Sequence, residues 1–433
     1  MTGSRQQRSQ SSRTQVCAAS ARARLLGRLL RPLRLLIVAI PTACLLAHCS
    51  QAPTASSGNI AAGHATSAER TASFNDRFYS APEDFADRFG RDDSFAPSAE
   101  PQRTADLLPP KRISTTTERF GRSAQLASLG PQLSTTPGRD DLTTLVSLKN
   151  SAFPYTGNNP RTDAPFLDVT DGNRRGHRSL GGRVYWQAET FNDNRVLMHI
   201  PRGFDIDKPG VIVVFFHGNG ATLERDVRDR QMVPEQISES GANAVLLAPQ
   251  LAVDAHDSSA GKFWQPGALK RFLAESADHL AQLSGDPGAA RKFAAMPVVI
   301  VAYSGGFVPA AYSLAVGGAS ERIRGVVLLD ALYGELDKFA DWIDGHRSAF
   351  FVSAYTRGTK RHDDELIRML RDKDIRVAED FDRPLRPGSV IFVETPSGVT
   401  HRNYVTMAWT RNPVQQVISK MAETPALVRM AAQ

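Results

Sequence analysis

Cysteine is scarce in this chain. Cys17, Cys44 and Cys49 are its only three, and all lie within residues 1–49. The rest of the chain therefore cannot form an internal disulfide, so the sequence neither requires nor excludes an oxidising compartment. The chain also lacks a His/Cys cluster of metal-ligand spacing, a P-loop and a dinucleotide-binding glycine pattern. The sequence signals for a structural zinc, a nucleotide or a dinucleotide are thus missing.

Acidic residues are absent from residues 1–49, whereas eight arginines occur there: Arg5, Arg8, Arg13, Arg22, Arg24, Arg28, Arg31 and Arg34. Of the 52 basic residues of the chain, 44 remain outside this stretch against 45 acidic ones, so the rest of the chain is near neutral. The formal net charge of +7 therefore reflects the N-terminus. A nucleic-acid-binding domain needs clustered lysine and arginine on its folded part, and no nucleic-acid partner is expected.

The apolar run that follows the arginines, residues 35–47, is too short to span a bilayer comfortably. Arginines followed by a short apolar run are typical of a secretory signal peptide. The sequence Leu46-Ala47-His48-Cys49 resembles a bacterial lipobox, in which the cysteine becomes the lipidated N-terminus, although His48 stands where a small residue is usual. We expect residues 1–49 to be a signal peptide or membrane anchor, with lipidation of Cys49, an uncleaved anchor and simple cleavage all open.

Residues 50–145 are rich in Ala, Ser, Thr, Pro, Arg and Asp and have little apolar periodicity, which is typical of a disordered linker. We therefore divide the chain into a signal or anchor (1–49), a disordered linker (50–145) and a catalytic domain with an N-terminal lead-in (146–433). This organisation predicts a location in the cell envelope, exported, periplasmic or membrane-anchored, with membrane association through the N-terminus. The sequence predicts no oligomeric state.

Residues 298–306, Val-Val-Ile-Val-Ala-Tyr-Ser-Gly-Gly, form a β-branched run that stops at a serine flanked by small residues. Such a pattern predicts a strand, a sharp turn and an exposed nucleophile, Ser304. In a nucleophile elbow the residues two before and two after the serine must be small, because the backbones approach closely there. Ala302 and Gly306 meet this requirement, and Ala302 adds one methyl group to the usual glycine.

A second pattern lies upstream. The apolar run 211–216 predicts a strand buried on both faces, and it ends in His217-Gly218-Asn219-Gly220. Acyl transfer requires N–H donors aimed at the developing oxyanion. In elbow enzymes one donor is the amide after the serine and the other comes from the loop after an earlier strand. We assign these roles to Gly305 and to Asn219 or Gly220, and interpret His217 as structural.

Two further strand ends supply an acid and a base. The apolar run 325–329 ends at Asp330, and His401 lies in a loop beyond the apolar run 389–394. The order Ser304, Asp330, His401 is the one that elbow enzymes use, since serine needs a base and the base needs an acid that orients it. Asp363 and Asp364, after the run 349–354, are an alternative for the acid. We prefer Asp330 because it ends a strand directly, whereas the other two lie where a helix is expected to begin.

With the motifs HGNG, AYSGG and GVTH in place, residues 180–425 resemble the α/β-hydrolase superfamily of serine hydrolases. The resemblance implies an α/β fold with a mostly parallel sheet of about eight strands, helices on both faces, a Ser-Asp/Glu-His triad and no cofactor. The expected strands are 183–188, 195–200, 211–216, 243–249, 298–303, 325–330, 349–354 and 389–394. The first two are expected to pair as the antiparallel hairpin that opens the fold.

The sequence therefore predicts a serine hydrolase that cleaves a carboxylic ester or related acyl bond of a small-molecule or acyl-ester substrate. His401 would be the general base, oriented by Asp330. Two alternatives stay open. A catalytically silent α/β-hydrolase fold could act as a binding or scaffold protein, because fold does not fix function, and a peptidase or an acyltransferase would use the same triad.

Overall fold

The structure is a computed structural model, and it describes residues 141–382 and 384–428. The expected signal or anchor segment, including Cys49, and the expected linker up to residue 140 lie outside the described residues. The described part of the chain holds every candidate catalytic residue.

The strands of this part are β1 (Leu142–Ser147), β2 (Val169–Asp171), β3 (Arg174–Arg178), β4 (Val184–Trp186), β5 (Arg195–Ile200), β6 (Val211–Phe216), β7 (Ala244–Pro249), β8 (Val298–Tyr303), β9 (Ile323–Leu329), β10 (Phe350–Tyr355) and β11 (Val390–Glu394). The α-helices are α1 (Gln187–Thr190), α2 (Val233–Glu239), α3 (Ala268–Leu283), α4 (Ala290–Ala295), α5 (Phe307–Val316), α6 (Leu336–Gly345), α7 (Lys360–Arg371), α8 (Pro413–Ala422) and α9 (Pro425–Val428). A π-helical segment, Leu223–Arg230, precedes α2.

Eight strands form one sheet in the order β1-β5-β7-β6-β8-β9-β10-β11. The six strands from β7 to β11 in this order run parallel, whereas β5 is antiparallel to both β1 and β7. Parallel neighbours need crossover connections, and the segments between them carry the helices. The α/β-hydrolase fold predicted from the sequence is confirmed.

Helices cover both faces of this sheet, which explains the continuous apolar runs of its central strands. Successive residues of β8 face two separate cores: Val298, Ile300 and Ala302 pack on one side, Val299, Val301 and Tyr303 on the other. The helices α3 to α7 contribute to the first core, and α2 and α8 to the second. Because the parallel strands all point the same way, their carboxyl ends and the loops that follow meet at one edge.

The predicted opening hairpin is wrong. β4, within the expected strand 183–188, pairs with β3 in a separate three-stranded sheet of order β2-β3-β4. The antiparallel neighbour of β5 is instead β1, paired from Leu142 opposite Ile200 to Ser147 opposite Arg195. β1 thus begins inside the range assigned to the linker (50–145). Its side chains are half-buried or exposed, as an edge strand's are, so it lacks the apolar run by which the central strands were found.

Candidate active site

Ser304 occupies a strained turn between β8 and α5. Its φ of +50° lies in the left-handed region, which a residue with a Cβ adopts only when the surroundings enforce it. Gly306 completes the turn, since a Cβ there would lie 2.3 Å from the carbonyl oxygen of Phe216. Pro309 falls in the first turn of α5, where its missing N–H costs no helical hydrogen bond.

Ser304, His401 and Asp330 are joined by hydrogen bonds. His401 Nε2 lies 2.8 Å from Ser304 Oγ, and His401 Nδ1 lies 2.7 Å from Asp330 Oδ2. The serine follows β8, the aspartate follows β9, and the histidine begins a short 3₁₀ turn, His401–Asn403, in the loop after β11. Three residues taken from separate strand ends thus meet in the arrangement that the sequence pattern predicts.

Asp330 is buried, and its carboxylate is fully engaged. It accepts hydrogen bonds from the Thr356 backbone N–H at 2.9 Å, from the Thr356 hydroxyl at 3.0 Å and from the Thr359 hydroxyl at 3.0 Å. Burial by itself raises the pKa of Asp330, but the hydrogen bond from His401 and those from the threonines outweigh it, so the pKa lies below its ordinary value. Asp330 is therefore ionised at neutral pH and can orient an imidazole.

The two alternative acids lie on α7 and have other partners. Asp363 is fully buried, one of its oxygens accepts from the Ser353 hydroxyl, and the other has no hydrogen-bond partner among the described residues. Burial raises the pKa of Asp363 well above its ordinary value. Asp364 is exposed and lies 3.7 Å from Lys360. Burial thus disfavours the charged form of Asp363, which is the form that would stabilise an imidazolium.

Tyr303, which precedes the nucleophile, supports the base. Its hydroxyl donates to the His401 carbonyl oxygen at 2.8 Å, and its ring stacks on the imidazole with centroids 5.1 Å apart. Burial raises the pKa of Tyr303, so its hydroxyl remains a donor. Tyr333 approaches the same imidazole edge-on, with centroids 6.2 Å apart. Neither tyrosine, nor Thr356 or Thr359, was identified from the sequence, because no local pattern links them to His401 or Asp330.

The loop after β6 lies against the elbow. A Cβ on Gly218 would lie 2.8 Å from Ser304 Cβ, and one on Gly305 would lie 2.0 Å from Asn219 Oδ1. The Asn219 backbone N–H has no hydrogen-bond partner among the described residues. Gly305 lies in a first helical turn, where backbone N–H groups lack an intrahelical acceptor. The Gly220 N–H, by contrast, donates to the Ala255 carbonyl at 2.8 Å, so it is not available to a substrate.

His217 holds this loop in place. Its Nε2 accepts from the Leu251 backbone N–H at 2.9 Å, so the ring proton is on Nδ1, which donates to the Gly218 carbonyl at 2.8 Å. Burial lowers the pKa of His217 to about 4, and the ring is neutral at pH 7. The structural interpretation of this histidine agrees with these contacts.

Across residues 141–382 and 384–428, no group of three or more His, Cys, Asp or Glu side chains could hold a metal ion. No helix in these ranges combines the length and the apolar character needed to cross a bilayer.

Neither a protein-family model nor a curated protein sequence matches this chain. Among solved structures, the feruloyl esterase module of Clostridium thermocellum is similar at 12% identity and a TM-score of 0.34, over 65% of this chain and 96% of that one. Thermogutta terrifontis esterase 2 is similar at 12% identity and a TM-score of 0.32, over 53% of this chain and 86% of that one. The S-formylglutathione hydrolase of Agrobacterium tumefaciens is similar at 12% identity and a TM-score of 0.32, over 61% of this chain and 98% of that one. At these identities the likeness does not extend to substrate.

Proposed function

We propose that this chain is a serine hydrolase that cleaves a carboxylic ester or a related acyl bond. The observation that supports it is the hydrogen-bond chain from Ser304 through His401 to Asp330. Serine is a weak nucleophile at its free pKa and becomes reactive beside a general base. A merely structural histidine has no need of a strained serine on one side and a buried, ionised carboxylate on the other.

In the proposed mechanism His401 Nε2 takes the hydroxyl proton as Ser304 Oγ attacks the acyl carbon. The imidazolium so formed donates through Nδ1 to Asp330, which stays ionised. The carbonyl oxygen, now negative, accepts from the Gly305 and Asn219 N–H groups. Gly220, the other candidate donor, is set aside because its N–H is already bonded to Ala255.

Collapse of this intermediate breaks the bond to the leaving alcohol, which takes its proton from His401 Nε2. The acyl group is then bound to Ser304. A water molecule gives a proton to His401 and attacks the acyl carbon, and the second tetrahedral intermediate expels Ser304 Oγ, which recovers the proton. An alcohol in place of water would make the same site an acyltransferase, and an amide substrate would make it a peptidase.

Ester hydrolysis is distinguished from a silent fold by a reaction that needs only an activated serine. The full chain should react with a fluorophosphonate probe and hydrolyse p-nitrophenyl butyrate. Ser304→Ala should not be labelled, and its hydrolysis rate should fall to what oxyanion binding alone supports. For enzymes that have lost a triad member, that residual rate is ~10³-fold above the rate in water. Ser313→Ala is the matched control, because Ser313 is a buried serine on α5 outside the triad. Equal labelling of wild type and Ser304→Ala would overturn the proposal.

We also propose that the protein acts at the cell envelope, attached or exported through residues 1–49. The support is the arginine-rich stretch followed by the short apolar run. Mass spectrometry of the mature N-terminus tests this. A lipid on Cys49 would indicate a lipoprotein, and an intact Met1 would indicate an anchor. An unmodified start beyond Cys49 would indicate a secreted protein. Recovery of unprocessed protein from the cytosol alone would contradict it.

A further inference from the structure

The three-stranded sheet β2-β3-β4 is separate from the sheet that carries the candidate active site. Its strands β3 and β4, with the turn between them, form a hairpin of residues 174–186, called here the basic hairpin. Arg174, Arg175, Arg178 and Arg183 all lie in it and all are exposed. The residues 168–189 that make up this sheet and its borders hold these four arginines against three acids, Asp168, Asp171 and Glu189.

The basic hairpin has one face against the domain and one turned away from it. His177 pairs with Tyr185, and both face inward: Tyr185 is buried, and the His177 ring stacks on Phe166 with centroids 4.4 Å apart. Side chains alternate between the faces of a strand. The outward face is therefore formed by the neighbours of this pair, which are Arg174, Gly176, Arg178, Val184 and Trp186.

The outward face combines apolar and cationic groups. Trp186 and Val184 are half-buried, and the Arg174 guanidinium lies over the Trp186 ring at 4.2 Å. Gly176 lets the indole lie flat on the strand, since a Cβ there would lie 2.9 Å from Trp186 Cε3. At the turn, Leu180 is 77% exposed, the most exposed large apolar side chain of the described residues.

The charges of the basic hairpin are only partly balanced. Arg174 pairs with Glu189 at 3.0 Å. For Arg175, Arg178 and Arg183, no carboxylate of the described residues lies within ion-pair distance. Arg178 is on the outward face, where its guanidinium donates to the Gly182 carbonyl at 3.1 Å, and Arg183 lies over the Tyr185 ring at 5.1 Å. Leu180 is exposed in the turn between these two arginines, and together they fit a partner that is negatively charged and apolar beneath its charge.

We propose that the basic hairpin docks on an anionic lipid surface. Arginines near a membrane are attracted to acidic head groups and let their apolar stems lie along the interface. Trp186 would occupy the interfacial zone that tryptophan favours, and Leu180 would enter the acyl boundary. A soluble polyanion would satisfy the arginines but would leave Leu180 in water, so it explains only half of the arrangement.

The test uses the full chain and vesicles whose acyl chains carry bromine, which quenches tryptophan fluorescence on contact. Vesicles of phosphatidylglycerol mixed with phosphatidylcholine should quench the protein, and vesicles of phosphatidylcholine alone should not. The quenched fraction should disappear in Trp186→Phe, because Trp264 and Trp342 are buried. The half-buried Trp409, which packs on Phe381 outside the hairpin, remains in this variant and reports any quenching that does not come from the hairpin. This readout is specific to the hairpin even where residues 1–49 bind the same vesicles through their own arginines.

Variants then identify the contributing side chains. Leu180→Ser should reduce the quenching, and Arg178→Ser/Arg183→Ser should weaken the vesicle affinity on the order of 5-fold for each arginine. The matched control Arg291→Ser/Arg376→Ser removes two exposed arginines elsewhere, in α4 and after α7, and should behave as wild type. None of these substitutions should alter hydrolysis of a soluble ester.

Several results would overturn the proposal. These are an unquenched Trp186 on anionic vesicles, equal quenching on neutral vesicles, and hairpin variants that bind as the wild type does. Protection of the hairpin amides from hydrogen exchange by heparin but not by vesicles would instead identify a soluble polyanion as the partner, and it too would overturn the lipid assignment.

Discussion

Asp330→Asn should abolish turnover through a change of histidine tautomer that the structure makes unavoidable. The Thr356 N–H and the Thr359 hydroxyl both donate to Asp330 Oδ1, at 2.9 and 3.0 Å, so the oxygen of the new amide must take that position. Its NH₂ group then faces His401 Nδ1 from the place of Oδ2, 2.7 Å away. Because an NH₂ group only donates, Nδ1 must accept and the ring proton must move to Nε2. Nε2 would then donate to Ser304 Oγ and could not take its proton.

The expected loss in kcat is ~10⁴-fold, the size found when a triad acid is replaced by its amide. At ~1.4 kcal/mol for each factor of ten, this corresponds to about 5.5 kcal/mol of transition-state stabilisation. KM should change little, because Asp330 is buried behind His401 and the substituted group is not placed to touch substrate. Initial rates with p-nitrophenyl butyrate across a range of concentrations measure both constants.

Asp363→Asn is the matched control. Burial raises the pKa of the Asp363 carboxyl and so favours its neutral form, and an amide that keeps the bond from Ser353 should leave kcat close to that of the wild type. Asp330 is not the triad acid if Asp330→Asn keeps more than a tenth of the activity, or if Asp363→Asn is the inactive variant. A circular dichroism spectrum of each variant separates lost catalysis from lost folding.

Three other predictions concern the fold around the site. Gly306→Ala should destabilise the protein by about 1–3 kcal/mol or more in urea unfolding and lower kcat, since its Cβ would collide with the Phe216 carbonyl. Asp363 should make the wild type less stable as pH rises. Above about pH 4 the unfolded chain releases the carboxyl proton of Asp363, while the folded chain keeps it because burial raises its pKa. The free energy of unfolding therefore falls with pH until the pKa of the folded state is reached. Asp363→Asn should remove that slope above about pH 4, and identical slopes would show that the folded state does not raise the pKa of this group. A chain that begins at residue 150 should aggregate in light scattering, because it lacks β1 and leaves the β5 edge unpaired, whereas one that keeps residues 141–149 should stay monodisperse.

The sequence alone predicts the central strands of the sheet and the three residues of the candidate triad. β6, β8, β9 and β10 are buried on both faces, so each is an apolar run that local reading detects. Ser304 and Asp330 directly follow two of these runs, and their positions are therefore determined once the strands are known. His401 is predicted because it is the histidine in the loop after β11, the last strand of the sheet along the chain.

What the sequence did not predict depends on partners distant along the chain. β1 is recognisable only by its pairing with β5, since its own residues alternate weakly beside a low-complexity stretch. The hydroxyls of Thr356 and Thr359 matter because a tight loop after β10 brings them to Asp330. The Gly220 N–H is engaged because Ala255, on another loop, lies above it. Periodicity carries no information about such loop contacts.

The support that Tyr303 gives to His401 has a consequence for heat inactivation. Between β11 and α8 the described chain has little repeating structure, only the turn His401–Asn403 and a bridge from Met407 to Arg411. Its backbone hydrogen bonds are those of turns rather than of a strand or helix ladder, and such a segment is expected to open at a lower free energy than the sheet. The hydrogen bond from the Tyr303 hydroxyl helps to keep His401 beside Ser304. Hydrolysis should therefore be lost on warming before the sheet melts, and Tyr303→Phe should widen that temperature interval.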